Sequence, residues 1–168
     1  MVLFLDYDGV VNTVMWEGTP NADDICYRRR YADPTDGKVN NYQAVQWVSE
    51  LCQKHNIDIV VTSTWRKWDN YKECLINGGL RKGINILGKV SEDHTLTRAG
   101  QINKYLKDHP EIGQDFIILD DEYIGMSYFG YSTKRHLIQC RNNAGFGLEE
   151  FDLADSLVKD LLRYNIHK

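Results

Sequence analysis

Apolar residues follow two rhythms along this chain. Short, nearly unbroken runs, VLFL at Val2–Leu5, IDIVV at Ile57–Val61 and FIIL at Phe116–Leu119, predict strands buried on both faces, the kind found inside parallel sheets. Between them the spacing widens to that of a helix. In NNYQAVQWVSELCQKH, Ala44, Val45, Val48, Leu51 and Cys52 fall on one stripe, with Asn40 or Asn41 placed to cap its start. TLTRAGQINKYLKDHPEI carries Ile102, Tyr105 and Leu106 at helical spacing and stops before Pro110. Trp68–Ile76 reads as a shorter helix, ended by Gly78 or Gly79 in the left-handed position, and LEEFDLADSLVKDLLRYN as a closing amphipathic helix. INILGKV and HLIQC add two short strand candidates. Residues 13–40, rich in Gly, Pro, Asp and Asn and without a sustained period, predict a small flap or cap.

Strands alternating with helices imply an α/β fold with a mainly parallel sheet and helices on both faces. The 168 residues, 42% hydrophobic and 26% charged, suit one globular domain with the flap as its insertion. In such sheets ligands bind beyond the carboxyl ends of the strands. Here those ends carry Asp6-Tyr7-Asp8, Thr62-Ser63-Thr64-Trp65-Arg66 and Asp120-Asp121-Glu122. If these ends are neighbours, several carboxylates share one small volume and repel one another, which a hard divalent cation resolves. Mg2+, held by one or two carboxylates with water and substrate phosphate, suits that donor set. A carboxylate can also attack phosphorus, and a second one two residues on can move the proton of the leaving oxygen. Gly9 permits the tight turn, while hydroxyls and Arg66 supply donors to phosphoryl oxygens.

FLDYDGVVN, VVTSTWR and IILDDE together resemble the haloacid dehalogenase (HAD) superfamily of Mg2+-dependent phosphohydrolases. The closer similarity is to the small HAD domains associated with RNA repair proteins, which share the S/T-x-W-R segment, the helix start bearing Arg, Gly and Ile, and the strand ending in an acidic pair. The resemblance implies a Rossmann-like HAD fold with a minimal cap. It further implies Asp6 as nucleophile and metal ligand, and Asp8 as general acid/base whose carbonyl completes the metal site. Thr62 then binds phosphate with Ser63 and Arg66 as helpers, and Asp121 binds metal directly, with Asp120 acting directly or through water. The family's third motif calls for a cation, for which Arg98 is favoured, Lys89 follows and Lys104 is a third candidate.

A net charge of −4 and a pI near 5.7 argue against a surface that grips nucleic acid along its whole length. A local basic patch is compatible with them, and CYRRRY puts Arg28, Arg29 and Arg30 between aromatics in the flap. The four cysteines form no Cys-x-x-Cys pair, the five histidines show no ligand spacing, and Asp6 interrupts the first apolar run, so the expectation is a cytoplasmic protein with reduced thiols and no membrane span. Trp65 and Trp68 read either as walls of the site or as packing residues. The expected activity is a phosphomonoesterase working through an aspartyl-phosphate on a nucleic-acid terminal phosphate, in the manner of a polynucleotide 3'-phosphatase. The alternatives are a 5'- or 3'-nucleotidase acting on mononucleotides and a non-catalytic module that binds phosphorylated ends.

Overall fold

The computed structural model describes residues 1–13, 41–121, 135–140 and 145–166. The flap with Arg28–Arg30 and Cys26, and also Glu122, lie outside them. The strands are β1 (Val2–Leu5), β2 (Asp58–Val61), β3 (Ile86–Lys89), β4 (Phe116–Asp120) and β5 (Leu137–Gln139). The helices are α1 (Tyr42–His55), α2 (Tyr71–Asn77), α3 (Arg98–Asp108) and α4 (Leu148–Ile166). All five strands are parallel, in the order β3-β2-β1-β4-β5. This is the α/β arrangement expected of a Rossmann-like HAD fold.

The two faces of the sheet are covered separately. Leu3, Leu5, Ile59, Val61, Ile117 and Leu119 point to one side, where Val45, Val48 and Leu51 of α1, Cys74 and Leu75 of α2, and Phe151, Ala154 and Val158 of α4 bury them. Phe4, Val60 and Ile118 point to the other, against Ala99 and Ile102 of α3. The unbroken apolar run of β1, and of the central residues of β2 and β4, follows from burial on both faces.

Asn41 caps α1, its side chain accepting from the backbone N–H groups of Gln43 and Ala44, and Asn56 ends the helix in the left-handed conformation at φ 52°. The helix expected from Trp68 starts later. Ser63 caps a 3-10 turn over Thr64–Lys67, Trp68 is extended at φ −84° and ψ 136°, and α2 begins only at Tyr71. Of the two glycines after α2, Gly79 takes the positive φ, at 102°, while Gly78 stays right-handed.

Register decides what the strands deliver. Leu5 lies opposite Val61 on one side and Leu119 on the other, so Asp6, Thr62 and Asp120 stand level, one residue further along three adjacent strands.

Candidate active site

The backbone ladder continues past the strand ends, with the Thr62 N–H donating to the Leu5 carbonyl at 2.9 Å and the Asp6 N–H to that of Leu119 at 3.0 Å. These bonds fix three side chains at one edge. A carboxylate oxygen from each of Asp6, Asp120 and Asp121 lies within 4.8 Å of the others. Asp6 and Asp120 are buried and Asp121 is half-buried.

Arg98 answers this charge. It is the first residue of α3, whose Thr97 cap accepts from the Gly100 N–H, and a cation there opposes the helix dipole. The acids offset that cost, since one guanidinium nitrogen forms an ion pair with Asp6 Oδ1 at 2.9 Å and donates to Asp120 Oδ2 at 3.0 Å and Thr62 Oγ1 at 3.3 Å. Thr62 keeps its own hydroxyl proton for a further acceptor. The acids offer only oxygen, the donor type a hard cation takes. Nearby, burial pushes the Cys140 thiol well above its usual range, helped by the fields of Glu150, Asp120, Asp121 and Asp6.

Asp8 stands beside this group on the loop after β1. The Tyr7 carbonyl accepts from the N–H groups of Val10, Val11 and Asn12, which closes the loop on itself. Gly9 has φ 75°, and a Cβ there would overlap the carboxylate of Asp121. The Asp8 carboxylate accepts from Asn12 Nδ2 at 2.7 Å and from Trp65 Nε1 at 3.0 Å. Asn12 has no role in the sequence reading, although its spacing of four from Asp8 is the available signal. Trp65 had no such signal, because its contact spans 57 positions.

The other expected phosphate ligands are placed differently. Arg66 is buried, and four of its five N–H donors are taken by the carbonyls of Thr62, Ser63 and Ser91 and by Gln101 Oε1. It braces the end of β2 by bonding the Thr62 and Ser63 carbonyls that lead into the 3-10 turn. Burial first, and then the charge of Arg98, lower its pKa from the usual value. Lys89 donates to the Arg66 carbonyl at 2.7 Å and to Glu92 at 2.5 Å, over the ring of Tyr71. Lys104 pairs with Asp108 on the exposed side of α3. Ser63 is buried, and its hydroxyl accepts from the Trp65 N–H at 3.3 Å. The structure therefore groups Asp6, Thr62, Arg98, Asp120 and Asp121, with Asp8 adjoining, and assigns Arg66, Lys89 and Lys104 to other partners.

Residues 2–151 match the family model for the HAD domain in Swiss Army Knife RNA repair proteins. The chain belongs to this family. No curated protein and no solved structure matches it. Membership supports a HAD-type phosphatase role, and the acidic triad of this HAD domain lies at the carboxyl edge of the sheet, where ligands bind in open parallel α/β sheets. No helix of the HAD domain, among the described residues, is long and apolar enough to cross a membrane.

Proposed function

We propose that the protein is a Mg2+-dependent phosphomonoesterase that removes terminal phosphates from nucleic acid. The observation that carries this reading is the grouping of Asp6 with Arg98, Thr62, Asp120 and Asp121 at the carboxyl edge of the sheet. The substrate class follows from the RNA repair context of the family.

Asp6 is the nucleophile. One carboxylate oxygen forms a bond to phosphorus while the bond to the ester oxygen breaks, and that oxygen leaves with the electron pair and takes a proton from the Asp8 carboxyl. Water then attacks the aspartyl-phosphate and gives its proton to Asp8, and the phosphorus–Asp6 bond breaks to release inorganic phosphate and restore both acids. Arg98 holds Asp6 in place and neutralises the phosphoryl charge, with the hydroxyls of Thr62 and Ser63 as neutral donors. Asp6, Asp120, Asp121 and the Asp8 carbonyl would hold Mg2+, which when bound screens the acids from one another and draws charge from the phosphoryl oxygens.

The test is phosphate release from a 3'-phosphorylated oligonucleotide and from mononucleotides by wild type and Asp6→Asn. Release from the oligonucleotide that falls to background in Asp6→Asn is expected. Unchanged release by that variant would overturn the covalent mechanism, and preference for mononucleotides would replace the nucleic-acid end by a nucleotidase substrate.

A further inference from the structure

Asp8 is half-buried, and a side chain so placed ordinarily samples several rotamers, yet both of its oxygens are held. Oδ1 accepts from the Asn12 amide at 2.7 Å, within its own loop, and Oδ2 from the Trp65 indole at 3.0 Å, across from the end of β2. The two donors belong to different elements, so they fix the carboxylate plane relative to the sheet edge and not merely relative to its loop.

The Trp65 ring is itself fixed from below. It meets the ring of Tyr7 edge-on at 6.3 Å, and Tyr7 is fully buried with its hydroxyl donating to the Tyr71 carbonyl at 2.9 Å. The Trp65 backbone N–H is held by Ser63 Oγ, and its carbonyl accepts from Trp68. A chain of contacts thus runs from the core through Tyr7 and Trp65 to Asp8. The residue type fits this duty, because an indole N–H donates but cannot accept a proton, so it orients the acid without competing for its proton as an imidazole would.

We infer that Trp65 is a positioning residue that aims the Asp8 carboxyl at the leaving oxygen of the substrate. This rests on the phosphatase reading above. Its consequence is a dependence on the leaving group. A ribose hydroxyl leaves as a poor alkoxide unless protonated as the bond breaks, whereas nitrophenolate leaves readily without a proton. Misplacing the acid therefore harms the sugar ester more than the nitrophenyl ester.

The experiment measures kcat/KM, which reports the step that breaks the ester bond and not the later hydrolysis shared by all substrates, on a 3'-phosphorylated trinucleotide and on para-nitrophenyl phosphate for wild type, Asp8→Asn, Trp65→Phe, and a variant with 3-benzothienylalanine at position 65. The last keeps the size of the ring and its contact with Tyr7 but carries sulfur in place of the N–H. Melting temperatures accompany each, and the benzothienyl variant reports on the N–H even where Trp65→Phe loses its fold. The expected result is a loss of about 10²-fold on the trinucleotide in both position-65 variants. The loss on the nitrophenyl ester is far smaller, and Asp8→Asn repeats the pattern more strongly. A leaving-group dependence in Asp8→Asn that is missing from the benzothienyl variant overturns the positioning role alone. Equal losses of Asp8→Asn on both esters overturn the proton-donor role of Asp8 and the positioning role with it, and no turnover of either ester by wild type overturns the phosphatase reading as well.

Discussion

Gly9 meets two demands. Its φ of 75° belongs to the left-handed region, which costs an ordinary residue about 1–2 kcal/mol, and the place of its missing side chain is taken by Asp121. Gly9→Ala should therefore lower the melting temperature modestly while displacing Asp121 from the acidic group. A right-shifted Mg2+ requirement for activity, larger than the stability loss explains, is the expected readout from Mg2+ titration beside thermal melts. An unchanged Mg2+ requirement would show that Asp121 relocates freely. The turn duty of this glycine is legible in Asp-Tyr-Asp-Gly, but its closeness to Asp121 depends on β1 lying beside β4 and has no local trace. The two arginines show the same limit. Arg66 and Arg98 both lie within two residues of a threonine that precedes them, yet the carbonyls of Thr62 and Ser63 draw Arg66 inward, while the start of α3 turns Arg98 to the acids.

Between elements, α1 and α4 are joined by one acid. Asp155 of α4 accepts from Lys54 at 2.8 Å, His55 at 2.7 Å and Lys159 at 2.6 Å, beside the contact of Trp47 with Phe151. Burial alone would raise the Asp155 carboxyl, but the hydrogen bonds from Lys159, Lys54 and His55 outweigh it and hold the group below its usual 3.8. A depressed carboxyl stabilises the fold above its unfolded pKa, and that contribution is lost as pH falls toward the folded one. Asp155→Asn should thus cost about 1–3 kcal/mol at pH 7, with the gap to wild type narrowing steadily below pH 3.8. Urea denaturation at pH 7, 3.5 and 2.5 checks this, and a gap independent of pH would refute it. The stripes that make α1 and α4 helices are visible in the apolar spacing, whereas the clip joins residues 100 positions apart and is not. Apolar spacing also fails to separate a 3-10 turn from an α-helix over a few residues, which is why α2 begins three residues after the expected Trp68.

At the scale of the whole molecule, the sheet order was legible only as a class. Alternating strands and helices imply parallel pairing, but β1 at the centre between β2 and β4 is a property of the assembled sheet, and it is this that draws the three acids together. Mg2+ should stabilise the fold by about 1.4 kcal/mol at ten times Kd, since relief of their repulsion exists only in the folded state, and so raise the melting temperature. Excess chelator should lower it again and abolish phosphatase activity, and full activity in chelator would sink the metal assignment. The ligands also lie far apart along the chain, Asp6 at one end of it and Asp120 and Asp121 beyond a hundred intervening residues. An ion can find all of them only in molecules whose first and fourth strands have already paired. Mg2+ held by these acids would therefore act as a latch on a finished sheet and not as a nucleus for it: it should prolong the lifetime of the native state against unfolding and proteolysis, and leave the time needed to reach that state to the chain alone.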